Sequence, residues 1–538
     1  MPPVRAGSAF AVSSDPQSRA DARETLASTA ELLSLGGDHR ILLEGEARQN
    51  KYGCAPEPDP DLLAFGSSTA STISAAAFDA ADALRLRLVR QLAKAPPAEV
   101  YQRELARIRE ELLQLCGLDG RGVQVVMAPS GTDLHLFAGQ LAGGHPERPA
   151  LAIIAEETET GSGVPAALAG RRFSPITPFE DTSLGGELIC GAPCVKVMSV
   201  AARGEDGRPR DEAAVDAEVT AVAEKAVERA RGVLLVLTDV SKTGLVSPSP
   251  ACARRLAARF PGQVTVLVDA CQLRLSPSTL RAYADEGWMI AVTGSKFLTG
   301  PAFSGALFAP QLLAESLSRR VLPARLRAFS ARADWPDGWA ARMQLAPAAN
   351  PGLLLRWEAA LEELRRFRRV PEAKRKAFVS TFGRTAAEAI AASPALEPLE
   401  IRALDRGLGD RESWDRLATI IPFLLKRPST DGAAAWLTRA QTEKTYRLLR
   451  QDLSLHAADV RDPGIRRAAG LRIEVGQPVA AGVRDGTPVS ALRLCASARL
   501  ISDACSGDPR AAARVLAEGR LALTKAAWLA GEVAAGRL

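Results

Sequence analysis

Two apolar runs that each end in a polar residue constrain this chain more than any other feature of it. Between Val264 and Gly305 the sequence reads VTVLVDACQLRLSPSTLRAYADEGWMIAVTGSKFLTGPAFSG. Val264 to Val268 is rich in β-branched residues and predicts a buried strand ending at Asp269; Ser276 to Glu286 predicts a short connecting helix, and Trp288 to Val292 a second strand running into Thr-Gly-Ser-Lys. In an open α/β sheet, ligands bind in the crevice beyond the carboxyl ends of the strands. Asp269 and Lys296 are therefore placed to meet over one crevice. The plain alternative is an ordinary βαβ unit whose Asp and Lys sit in solvent.

Desolvation disfavours an ammonium, so a lysine set just past a buried strand is suited to Schiff-base chemistry. A carboxylate on the neighbouring strand supplies the partner that a pyridinium nitrogen needs. The pair points to pyridoxal phosphate (PLP). A second stretch, VQVVMAPSGTDLHLFAGQLA, predicts a strand from Val123 to Met127 that turns through Ser130, Gly131 and Thr132 directly into a helix. The first-turn N–H groups of such a helix, at its positive dipole end, face the crevice, and the small residues allow close backbone approach to a phosphate. Ser and Thr are also plain helix N-caps, so this turn gains weight from the Asp269 and Lys296 unit that follows it.

Strand-Asp-Ala-x-Gln, strand-x-Gly-x-Lys with Gly-Pro following, and the Ser-Gly-Thr-Asp turn together resemble the fold type I PLP enzymes, within them the class V aminotransferase and cysteine desulfurase branch. The resemblance covers Phe65 to Pro310 well and the last third of the chain in outline. It implies that Lys296 carries the cofactor as a Schiff base, that Asp269 meets the pyridine nitrogen and that Gln272 bonds the phenolic oxygen. It also places Ser130, Gly131, Thr132, Thr293 and Ser295 around the cofactor, with Asp133 in the family's acidic position. Ser241, with Gly244, falls where the family touches the phenolic oxygen. Thr160 falls where the desulfurase branch stacks a histidine on the ring, a departure that leaves His135 as a substitute or as a satisfied core residue. Lys242 is the rival to Lys296. Arg493 or Arg499 is the place to look for the arginine fork that grips a substrate carboxylate, and Ser67, Ser68 and Thr69, in a loop expected over the site mouth, are candidate substrate contacts.

The rest of the chain fits a large enzyme. At 538 residues, 47% hydrophobic and 24% charged, it is long enough for a large domain plus a smaller one. Lys plus Arg number 68 against 62 acidic residues, too dilute an excess for a nucleic-acid footprint. The eight cysteines show no framework spacing, and Cys190 and Cys194 lack the further ligands of a zinc site, so no metal is expected. No run spans a membrane and the N-terminus lacks a signal segment, so the expected location is cytoplasmic. The expected fold is α/β, a large domain with a mainly parallel seven-stranded sheet and a smaller α+β C-terminal domain. Residues 1–60 are read as an N-terminal arm and helix (Asp21 to about Leu35), 61–310 as the cofactor domain, 311–372 as linking helices and 373–538 as the small domain. Asn50 to Ser74 reads as irregular throughout, and 171–191 as an inserted loop or hairpin.

The function these features imply is action on a small-molecule amino-acid substrate by a homodimer, with amino-group transfer favoured. A PLP-dependent C–S or β-lyase is one alternative and a non-catalytic binding protein on the same fold is another. Persulfide transfer through a mobile cysteine is disfavoured, because no cysteine lies between Ser380 and Leu494.

Overall fold

The computed structural model describes residues 26–46, 48–179, 186–189, 194–427 and 435–538. Part of the helix expected from Asp21, part of the expected insertion, and Cys190 lie outside the described residues.

The larger sheet has eight strands. Its main path runs Gln124–Ala128, Gly305–Ala309, Met289–Thr293, Val264–Ala270, Val233–Asp239, Ala150–Ala155 and Val195–Val200, with the short Val246–Ser247 beside Val233–Asp239. From Met289–Thr293 outward to Val195–Val200 every pairing on that path is parallel, whereas Gly305–Ala309 runs antiparallel to both of its neighbours. The central strands Val233–Asp239, Met289–Thr293 and Gly305–Ala309 are buried at every position, as strands covered on both faces must be. The edge strand Val195–Val200 is buried only at its two ends. The seven-stranded, mainly parallel expectation matches this main path.

The second sheet has six strands, ordered Leu62–Phe65, Arg472–Arg484, Thr487–Cys495, Ile420–Arg427 and Leu396–Pro398, with Ala435–Trp436 added beside Ile420–Arg427. Its first strand corrects one expectation: Asn50 to Ser74 is not irregular throughout, because Leu62–Phe65 pairs in parallel with Arg472–Val475 of the C-terminal sheet. Four residues flanked by Gly, Pro and Ser carry little local strand signal. The pairing partner, far along the chain, makes the strand.

The helix Pro351–Arg369 forms the seam between the two sheets. Pro351 sits at its first position, where a missing N–H costs nothing, and Asn350 caps it by accepting from the Leu353 amide at 3.0 Å. It packs on Ala75–Leu92 and Pro97–Cys116, and its Arg356 is fully buried. That guanidinium donates to the carbonyls of Phe303 at 2.6 Å and Gly36 at 3.0 Å, tying the N-terminal segment to the loop beyond Lys296. Beside it, Phe297 stacks on Trp414 with centroids 5.2 Å apart, and Phe367 meets both rings edge-on. One hydrophobic core thus runs from the large sheet through the linking helix into the small domain. Trp414→Ala, which removes a fully buried ring from this junction, is expected to lower stability by about 3–5 kcal/mol in urea unfolding.

Candidate active site

The Asp269 and Lys296 strands are neighbours, with Asp269 registered against Ala291 and Ala270 against Val292. Their carboxyl ends open into a cavity of about 290 Å³ whose wall includes Asp269, Lys296, Ser130, Gly131, Thr132, Thr293, Ser295, Ser68 and Arg493. The strand Gln124–Ala128 delivers the helix Gly131–Ala142 to the same place, with Ser130 as its N-cap. Gly131 is required by close approach, since a Cβ there would lie 3.0 Å from Cys271 Sγ and 3.1 Å from Thr293 Cγ2.

His135 organises the charge. Its Nδ1 is 2.7 Å from the Gly131 carbonyl, which only accepts, so Nδ1 carries a proton. Its Nε2 lies 3.3 Å from Asp269 Oδ2, within ion-pair reach though without hydrogen-bond alignment. Burial pushes the imidazole down, but the Asp269 carboxylate outweighs it and the net shift is upward. Burial likewise pushes the Asp269 carboxyl up, and His135 and Lys296 together hold it well below its ordinary range. The buried carboxylate is therefore ionised, also accepting from the Cys271 amide at 3.2 Å. Burial and Asp269 drive the neighbouring Cys271 thiol far up, which keeps it neutral and a poor nucleophile.

At the helix N-terminus, Ser130 Oγ bonds Asp133 at 2.5 Å. Burial, with Asp38, pushes the Asp133 carboxyl up to about 7, so this end of the cavity does not carry a full negative charge at neutral pH. Arg40 bonds Thr132 Oγ1 at 3.2 Å and lies 4.9 Å over the Phe303 ring. With Lys51 and Tyr52 it brings the N-terminal segment into the cavity wall.

Several expected contacts lie elsewhere. Gln272 is buried off the cavity: its amide donates to the Ser68 carbonyl at 2.9 Å and its oxygen accepts from Arg274 at 3.3 Å. Arg274 continues to Ser67 Oγ, Thr419 Oγ1 and the Ala496 carbonyl, so this pair fastens the mouth loop to both sheets. Ser241 donates to Glu159 at 2.5 Å inside a buried cluster with Thr243 and Arg203. Thr160 bonds the Glu156 carbonyl, and Gly161 and Ser162 take its place on the wall. The Thr293 hydroxyl lines the cavity but donates to the Cys271 carbonyl at 2.6 Å. Arg499 donates to the Thr72 carbonyl in a separate cleft. Arg493 is fully buried in the wall. It donates to the Lys242 carbonyl at 3.2 Å and Thr69 Oγ1 at 3.1 Å, and its Nε has no partner. Lys242 also lines the cavity; its Nζ reaches the Glu157 carbonyl at 3.3 Å, and burial, then Arg493 and Lys296, push its amine down to about 8.

A solved structure of a C-DES mutant with glycine covalently linked to its PLP cofactor superposes with a TM-score of 0.50 at 17% identity, covering 87% of this chain and 99% of that one. The chain has the fold of the fold type I PLP enzymes. Within that fold lie two further matches: a complex of the cystine C–S lyase C-DES with its product cysteine persulfide (TM-score 0.48, 16% identity, 86% and 98% covered) and the cysteine desulfurase CsdA from Escherichia coli (0.46, 15%, 85% and 93%). No family model and no curated protein sequence matches the chain. The fold type I arrangement explains why the helix N-terminus, Asp269 and Lys296 share one sheet edge.

His135→Leu leaves Asp269 without its imidazolium and is expected to cost on the order of 3 kcal/mol. Because the His135 value is raised, its contribution is fully present below the unfolded value of about 6.5 and fades as pH climbs through the folded one; the depressed Asp269 value adds stability that is lost as pH falls below about 4. Urea unfolding should therefore show the deficit of the variant largest between about pH 4 and 6.5 and narrowing in alkali.

Proposed function

We propose that this chain is a PLP-dependent enzyme acting on an amino acid, with amino-group transfer as its reaction. The observation that carries the reading is the convergence of an ionised buried carboxylate, a lysine and a helix N-terminus on one cavity. These groups fit the cofactor chemically. Lys296 would hold its aldehyde carbon, Asp269 its ring nitrogen, and the first-turn amides at Gly131 and Thr132, with Arg40, its phosphate. When bound, PLP supplies an electron sink for a bond breaking at the substrate Cα.

The remaining work belongs to side chains of this chain. Asp269, kept ionised by His135, favours a protonated ring nitrogen. Arg493, with an unpartnered buried Nε, is the arginine that would orient a substrate carboxylate. Lys296, on the cavity wall, is placed to move a proton at the substrate Cα. The Gln272 and Arg274 pair holds the mouth loop in place over the site. Cys271, the one cysteine on the wall among the described residues, is kept neutral, which weighs against persulfide transfer. We also propose a cytoplasmic homodimer, for which the exposed Leu312, Val321 and Met343 offer apolar surface. Among the described residues no helix is long and apolar enough to cross a membrane.

β-Elimination uses the same residues and differs only in the bond broken. Incubation with amino acids separates the two: a 2-oxo acid matching the substrate skeleton, formed with the aminated cofactor, supports transfer, whereas release of pyruvate with ammonia supports elimination. Borohydride reduction of the PLP-loaded protein followed by peptide mass spectrometry should find the adduct on Lys296 and lose it in Lys296→Ala; an adduct on Lys242 would refute the assignment. Arg40→Met should weaken PLP binding about tenfold or more, the scale of a charge-assisted hydrogen bond, in equilibrium dialysis.

A further inference from the structure

The cavity wall holds two cations that this reading does not use, Lys51 and Lys242. Arg40 stands at the phosphate end and already pairs with Asp38, Lys296 would hold the cofactor, and Arg493 would take the substrate α-carboxylate. Lys51 is exposed to solvent, whereas Lys242 is half-buried. Among the described residues its ammonium bonds only the Glu157 carbonyl and makes no ion pair with a carboxylate. The buried acid Glu159, bonded by the residues on either side of Lys242, is already paired with Arg203 at 2.7 Å.

Lys242 is nevertheless held firmly. Its flanking residues, Ser241 and Thr243, are both bonded to Glu159, and Arg203 reaches on to the carbonyls of Gly207 and Glu400. The Lys242 amide donates to the Glu159 carbonyl at 2.9 Å, and its own carbonyl accepts from Arg493 at 3.2 Å. A surface lysine in solvent needs no such bracing. Here two cations, Lys242 and Arg493, are fixed to each other through the backbone and face the same space.

We propose that Lys242 binds a second anionic group, carried on the side chain of the substrate, so that the substrates are amino acids with an acidic side chain: a carboxylate or an oxidised-sulfur acid. The inference rests on the PLP reading and deepens it. Two like charges beside Lys296 repel in a desolvated pocket, and a dianionic ligand relieves that repulsion where a monoanion cannot. The lowered value of the Lys242 amine, near 8, agrees with a cation site awaiting its anion.

Unreactive dianions test this without any turnover. Succinate, sulfoacetate and the monoanion butyrate are titrated by calorimetry into the PLP-loaded enzyme, into Lys242→Gln and into Lys242→Arg, after borohydride mapping has shown the cofactor on Lys296. At least one dianion should bind the wild-type enzyme about tenfold or more tighter than butyrate, and whichever of the two binds better tells which acid is preferred. Lys242→Gln should remove that preference and leave butyrate unchanged, while Lys242→Arg keeps part of it. Equal binding of both dianions and butyrate to wild-type enzyme overturns the proposal even if the variants fail to load, and so does a preference that survives in Lys242→Gln. Failure to find the Lys296 adduct overturns the PLP reading instead, a result separable from either of these.

Discussion

A carboxylate buried at the end of a central strand has to be paired, and the pairing of Asp269 with His135 is the constraint on which this site depends. An isolated buried carboxylate would take up a proton. The imidazole prevents this because its Nδ1 proton is committed to the Gly131 carbonyl, which leaves Nε2 to face Asp269. The same helix whose first turn would meet a phosphate thus carries, one turn on, the group that sets the charge of Asp269. Three strands and one helix have to be in register for this, and the core that runs through Pro351–Arg369 keeps them so.

The framework of the site was legible because it is local. Asp269, Lys296 and the turn at Ser130 to Thr132 follow from apolar strands that end in polar residues, and the structure brings all of them to one cavity. Arg493 could be nominated from the C-terminal sequence, but only packing separates it from Arg499, whose guanidinium reaches the Thr72 carbonyl in another cleft. His135 was visible as a lone histidine on a helix, with nothing in the sequence to say that Asp269 lies beside it.

What stayed hidden depends on distant contacts. Arg40, Lys51 and Tyr52 reach the cavity because Arg356 binds the carbonyls of the preceding segment, an interaction with no sequence pattern. Gln272 and Ser241 stand where a cofactor contact was expected and serve as scaffolding, since each buried polar group takes the nearest strong partner: the Ser68 carbonyl for one and Glu159 for the other. The strand Leu62–Phe65 exists through its pairing with Arg472–Val475.

The central claim is that His135 keeps Asp269 ionised. The chain has four histidines, so ¹⁵N-histidine labelling gives a countable set of imidazole signals for NMR titration. The account predicts that the His135 signal, assigned by its loss in His135→Leu, titrates above the value of about 6.5 for a free imidazole, and that in Asp269→Asn it falls below that value as burial takes over. A His135 midpoint at or below about 6.5 in the wild-type protein, unmoved by Asp269→Asn, would contradict it.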